Sequence, residues 1–550
     1  MLGDLWYKNA VFYSLDVETF FDSDGDGVGD FEGLSRRLDY LESLGVDAVW
    51  LSPFQPSPNR DDGYDIADYY GVDPRYGTLG DFVEFMHEAD SRGIRVVIDL
   101  VVNHTSDRHP WFRDALKGKE AAHHDWYVWS KKRPPDWQSG TVFPGVQKAT
   151  WTFAREVRKY YFHRFYDFEP DLNIDNPEVR DEVRRIIGFW LELGVAGFRV
   201  DAVPFVIEKP SVDGGPNPLD FDYLREMREL LQWRVGDAVL LGEANVLPRE
   251  SRRYFAEGSG LHMMFNFWVN QHLFYALASG DTRPLAQALR ATARLPSSAQ
   301  WAHFLRNHDE LDLGRLSDEQ RATVFERFGP EPRMQLYERG IRRRLAPMLG
   351  DPRLLQMAQS LLLSLPGAPV LRYGEEIGMG DDLSLPERYP VRTPMQWSDA
   401  ARAGFTTAEK PVRPVVDKGP YGYEHVNVSK QQREPGSHWR WLASMIRLRT
   451  ECPEIGWGGW KVLPVRAPAV LALEYQWRGT SVLCVHNFDA EPHEVSIRTE
   501  APGSDRLVSL TEDEDSAAAR DGTHRLALDP YAYRWYRAET PSSKSRHTRS

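Results

Sequence analysis

Eight short apolar runs, each separated from the next by helix-patterned sequence, constrain this chain more than any other feature. They lie at residues 10–17, 47–53, 94–104, 195–203, 238–244, 261–267, 299–309 and 368–374. Runs this short and this continuous suit strands buried on both faces, as in a parallel sheet. Between the first two, residues 31–44 put Leu34, Leu38, Leu41 and Leu44 on one face and predict a single helix. Asn176-Pro177-Glu178 opens another helix with an N-cap and a proline at its first position. Eight strands with helical crossovers predict an α/β fold, a (β/α)8 TIM barrel whose working residues gather at the C-terminal ends of the strands.

Two interruptions break the alternation. Residues 105–175 are too long for an ordinary loop and predict a small domain inserted after the third strand. Residues 316–349 predict extra helices, with the basic run Arg339-Gly340-Ile341-Arg342-Arg343-Arg344 on a solvated or ion-paired helix face. After about residue 460 short alternating strands, at 470–477, 481–487 and 493–498, predict a C-terminal antiparallel β-sandwich. The expected division is barrel 1–104, insertion 105–175, barrel 176–459, β-sandwich 460–538 and a disordered polar tail 539–550.

A net charge of −14 argues against nucleic acid or an anionic membrane as the main partner. Two cysteines, Cys452 and Cys484, give no disulfide framework. The first residues show no basic segment followed by an apolar one, and no run approaches eighteen apolar residues, so a cytoplasmic enzyme is expected.

The charges set into the strand ends carry the chemistry. In Gly197-Phe198-Arg199-Val200-Asp201, Arg199 and Asp201 leave one face of a strand, and a guanidinium beside a carboxylate keeps it ionised. Glu243 and Asp309 end two further runs, and His104 and His308 stand at the same level. Three carboxylates converging on one barrel mouth suit retaining glycoside chemistry, which needs a nucleophile and an acid/base about 5–5.5 Å apart. Residues 22–30, Asp-Ser-Asp-Gly-Asp-Gly-Val-Gly-Asp, place Asp22, Asp24, Asp26 and Asp30 at positions 1, 3, 5 and 9 of a calcium loop, with Val28 offering its carbonyl. Position 12 is Gly33, so the usual bidentate glutamate is missing.

The strings Gly63-Tyr64-Asp65, Val101-Val102-Asn103-His104, Gly242-Glu243-Ala244 and those at 197–201 and 306–309 resemble, in order and spacing over nearly the whole chain, the sequence regions of glycoside hydrolase family 13, the α-amylase family. The resemblance implies Asp201 as nucleophile, Glu243 as acid/base and Asp309 as transition-state stabiliser. It implies that His104, Arg199 and His308 hold the −1 glucose, that Tyr64 stacks on it, and that Asp65 with Arg392 closes the far end. It also implies structural calcium, with a second site at Asn103, Asp171 and Glu208, and no organic cofactor.

Within the family, residues 304–311, 340–347 and 391–397 resemble members that interconvert maltose and trehalose by intramolecular transglucosylation, with side hydrolysis to glucose. A retaining α-glucosidase, amylase-like hydrolase or transglucosidase is the alternative, and a non-catalytic relative a second. Departures fall at Glu169, at 209–221 and at 385–390, all expected on the acceptor side, and at Arg372. The implied partner is a small disaccharide, with no nucleic acid or membrane, and self-association into a homo-oligomer is left open.

Overall fold

The eight apolar runs close into one ring. In the computed structural model, which describes residues 3–499, 505–511, 514–520 and 522–538, they form β1 (Phe12–Leu15), β2 (Ala48–Leu51), β3 (Arg95–Leu100) and β4 (Gly197–Val200). The ring continues with β5 (Val239–Gly242), β6 (Met263–Phe265), β7 (Gln300–Phe304) and β8 (Ala368–Arg372). Neighbours are consecutive and parallel, and β1 pairs with both β2 and β8. Inside, Trp50, Val97, Leu241, Met263, Phe265 and Phe304 fill the barrel, so it is a packed core and not a pore. A larger apolar shell lies between the strands and the surrounding helices.

The helix expected over 31–44 is two, Phe31–Ser35 and Leu38–Leu44. Arg37 breaks them: its backbone leaves the helical region and its guanidinium sits 3.9 Å from the Phe21 ring and 4.2 Å from that of Trp397. Asn176 caps Pro177–Glu192, its side chain accepting from the Glu178 N–H.

After β3 the chain builds the helix Pro110–Ala115 and a three-stranded antiparallel sheet of Trp129–Ser130, Lys159–Phe162 and Trp151–Ala154. Its own core includes Phe112, Trp126, Tyr127 and Tyr161. Between β7 and β8 lie the helix Asp318–Phe328 and a small sheet of Leu311–Asp312, Gly340–Ile341 and Gln335–Leu336. The basic run is therefore not a helix face. Gly340–Ile341 is strand, Arg342 donates to the Leu385 carbonyl (2.7 Å), and fully buried Arg344 donates to that of Tyr373 (2.7 Å). Each guanidinium meets carbonyls the irregular backbone leaves unpaired.

The C-terminal residues form a six-stranded antiparallel sheet and a two-stranded one, His493–Arg498 with Thr523–Leu528, facing each other across Val470, Leu483, Ile497 and Leu526. Trp535 ties the larger sheet to the barrel helix Pro352–Ser364 by donating to Ser360 Oγ (3.0 Å). The tail expected at 539–550 lies outside the described residues. Among the described residues no helix is long and apolar enough to cross a membrane.

Candidate active site

Arg199 organises the barrel mouth. It lies on β4 opposite Asp99 of β3, with 1% of its surface exposed. Its Nη1 donates to Asp99 Oδ1 and Asp201 Oδ1, both at 2.6 Å, and its Nη2 lies 2.7 Å from Glu243 Oε2. A buried guanidinium costs several kcal/mol unless paired, and here three carboxylates share it. Burial pushes the Asp99 carboxyl up to about 7 against the pull of Arg199. Burial likewise pushes Glu243 up to about 8, with Arg199 opposing and the charges of Asp201 and Asp309 adding. Glu243 Oε2 also accepts the Ala202 N–H (3.1 Å), which ties the ends of β4 and β5 together.

Asp309 faces them from the loop that follows β7. Its Oδ1 meets Arg388 Nη1 (2.9 Å) and Arg392 Nη2 (3.0 Å), and its Oδ2 lies 3.2 Å from His308 Nε2. Burial alone would raise this carboxyl; Arg388 and Arg392 outweigh burial and hold it well below the usual carboxylate range. His308 is itself driven down to about 3 by burial, so it is neutral and takes the Tyr64 hydroxyl as partner (2.9 Å) while its ring stacks on Tyr64. Burial also lowers His104, whose Nε2 lies 3.3 Å from the Tyr64 carbonyl. A cavity of about 500 Å³ opens above this floor, lined by Tyr64, His104, Asp201, Glu243, His308 and Asp309, the size of a site for one small ligand.

The residues expected at this site gather around the barrel mouth, Asp65 and Arg392 each with partners of its own. Asp65 and Arg392 do not pair with each other. Asp65 is fully buried and accepts from Ser57 Oγ (2.8 Å) and the Arg60 N–H (3.1 Å). Arg392 instead pairs with Asp62 and Asp309, and Arg413 takes the other oxygen of Asp62. Glu169, expected on the acceptor side, lies beside His104. It is buried with Oε1 3.9 Å from His104 Nε2. Arg372 ends β8 and pairs with buried Asp16.

Sequence reasoning missed Asp99, Asp62 and Arg388. Asp99 was findable by the logic that singled out Arg199, an ionisable residue inside an apolar strand. Asp62 and Arg388 sit in irregular segments, where no periodicity says which way a side chain points.

The α-amylase catalytic-domain model matches residues 17–327 and 342–458. The chain belongs to the α-amylase family. A second match, to the C-terminal domain of sucrose hydrolase-like proteins, covers residues 479–537. Among curated members of the family, a trehalose synthase of Thermus thermophilus is 42% identical over 97% of this chain, which spans 55% of that protein's length. A trehalose synthase of Pimelobacter sp. is 38% identical over 98% of this chain and 97% of its own. Among solved structures, an inactive double mutant of MutB in complex with isomaltulose superposes with a TM-score of 0.77 at 28% identity, covering 97% of this chain and 99% of that one.

The two calcium sites that membership implies fare differently. In the loop at 22–30, oxygens of Asp22, Asp24 and Asp30 all lie within 4.8 Å of one another. Gly27, at φ 100°, lets the loop turn where a Cβ would stand 2.4 Å from the Lys410 carbonyl oxygen. Three carboxylates that close repel one another without a cation, so this donor set fits calcium. Asp26 stands outside that group, its Oδ1 accepting from the Val28 N–H (2.7 Å). The set Asn103, Asp171 and Glu208 does not fit. Arg164 holds Glu208 Oε2 through Nε (3.0 Å) and Nη2, Asn217 takes Oε1 (2.8 Å), and the Arg164 N–H donates to Asp171 Oδ1 (2.8 Å). A guanidinium already supplies the positive charge there.

Proposed function

We propose that the protein interconverts maltose and trehalose by retaining, intramolecular transglucosylation, releasing some glucose by side hydrolysis. The observation that carries this reading is one guanidinium, Arg199, contacting both Asp201 and Glu243 on the floor of a disaccharide-sized cavity. Two carboxyls bridged by a single guanidinium suit the close pair of the retaining class. Asp201 attacks the anomeric carbon of the −1 glucose while Glu243, protonated, gives its proton to the glycosidic oxygen. The bond to the second glucose breaks and a glucosyl ester of Asp201 forms. Asp309 faces the positive charge that develops on the ring. Glu243, now a carboxylate, takes the proton of the next nucleophile. If that is the anomeric hydroxyl of the freed glucose, turned in place, the product is trehalose; if it is water, two glucose molecules result. The similarity to two trehalose synthases supports the first outcome.

Incubation with maltose and with trehalose separately, followed by sugar chromatography, tests the reading. Each sugar should yield the other with minor glucose. Glucose as the sole product would assign a hydrolase instead.

A further inference from the structure

Arg392, which aligns Asp309, is itself held by a second guanidinium from another part of the chain. Arg392 spreads its fork over three acceptors. Its Nη2 lies 3.0 Å from Asp309 Oδ1, its Nη1 donates to Asp62 Oδ2, and its Nε donates to the His308 carbonyl (2.8 Å). Arg413, buried as well, takes the other oxygen of Asp62, donates to the Arg392 carbonyl (3.0 Å) and lies 2.8 Å from Glu18 Oε1. One side chain thus holds both the backbone of Arg392 and the carboxylate that competes with Asp309 for it. Burial would raise the Asp62 carboxyl; Arg413 and Arg392 outweigh burial and keep it ionised. The surroundings fix Arg413 in turn. Its guanidinium sits 4.6 Å from the Tyr389 ring centre, and the Tyr76 hydroxyl takes the second oxygen of Glu18 (2.8 Å). Its backbone is tied to the acidic loop at 22–30, where the Val412 N–H donates to the Gly27 carbonyl (2.8 Å) and the Asp22 N–H to that of Phe405 (3.1 Å).

We propose that Arg413 is a positioning residue of the reaction: by occupying one oxygen of Asp62 and holding the Arg392 backbone, it keeps the Arg392 fork on Asp309. Without Arg413, both oxygens of Asp62 turn to Arg392, and an ionised carboxylate left with one guanidinium draws that fork away from Asp309. Arg388 stays on Asp309, so its alignment is weakened and not abolished. Asp309 meets charge that develops only as the glycosidic bond breaks, so the loss falls on the transition state and not on the bound sugar. Arg413 is not among the residues lining the cavity and acts through Arg392. Its role rests on the retaining reading above, with Asp309 as stabiliser, and is the same whichever acceptor follows.

The test measures kcat and KM for maltose consumption in Arg413→Met, Arg392→Met and the double variant. Arg413→Met should lose about tenfold in kcat with KM within about threefold of wild type, the pattern of an interaction made in the transition state. In the Arg392→Met background the same change should cost less than about twofold further, because its route to Asp309 is already cut, whereas a loss through general unfolding would multiply. Wild-type kcat in Arg413→Met, or equal losses in the two backgrounds, overturns the inference. Should Arg413→Met not fold, or Arg392→Met be too slow to measure, Arg413→Lys decides. Its ammonium keeps the charge but cannot span Asp62, Glu18 and the Arg392 carbonyl, so kcat should fall severalfold; wild-type kcat overturns the inference. Asp309→Asn with wild-type kcat would remove Asp309 from the reaction, and this role of Arg413 with it. An impaired Asp309→Asn beside an unimpaired Arg413→Met overturns the role of Arg413 alone.

Discussion

At Arg199 the demands of folding and of chemistry fall on one side chain. Its guanidinium holds the carboxyls of Asp99, Asp201 and Glu243, so Arg199→Met leaves buried polar groups unpaired and should destabilise the fold by about 3–5 kcal/mol. Denaturant unfolding measures it; wild-type stability would contradict the pairing. Glu243 carries the pH dependence. Its carboxyl is pushed up to about 8 by burial, so the proton needed for bond cleavage is present below that pH and lost above it. The value of kcat/KM should therefore fall as pH rises through about 8. Glu243→Gln should lose that limb and about 10²–10⁴-fold in rate on maltose. An aryl α-glucoside whose leaving group needs no proton should recover most of the first step. A Glu243→Gln enzyme keeping the alkaline limb would move the acid to another residue. Arg199, Asp201 and Glu243 were legible because charge inside an apolar strand has few innocent explanations. Arg392 was legible too, but its partner was not. Asp62 and Asp65 are three apart in an irregular loop, and nothing in the sequence orders their carboxylates around a distant guanidinium.

Elements with strong periodicity were the legible ones. All eight barrel strands stand where continuous apolar runs placed them, because strands buried on both faces are made mostly of apolar residues. The two-residue strands at Gln335–Leu336 and Gly340–Ile341 are too short for any period to register, which is how Arg342 and Arg344 passed for a helix face. The two acidic elements expected to bind calcium make opposite predictions. The loop at 22–30 should bind one ion. Chelation should then lower Tm, and Asp24→Ala should abolish the response. A hundredfold excess of calcium over Kd adds about 2.7 kcal/mol. A chelator-insensitive melt with no metal in the purified protein would reject the site. At Glu208, Arg164→Met should destabilise the protein whether or not calcium is present, because a guanidinium and not an ion neutralises that carboxylate. Full rescue of Arg164→Met by calcium would show that the site accepts a cation after all.

Across the whole molecule, the barrel supplies a rigid floor and the inserted layer and the small hairpin sheet supply the walls. The floor presents groups that need no rearrangement: the Asp201 carboxylate and the Glu243 acid on Arg199, and Asp309 on Arg388 and Arg392 beside His308. The walls come from segments outside the strand–helix alternation, so reaction type was legible in the sequence and the fate of the intermediate was not. That fate is the central claim: glucose freed in the first half of the reaction stays in the closed cavity and returns as the acceptor. Maltose is therefore to be converted in the presence of excess isotopically labelled glucose, and the trehalose formed examined by mass spectrometry. Trehalose free of label is the predicted result. Label entering trehalose in proportion to its share of the free glucose would contradict intramolecular transfer.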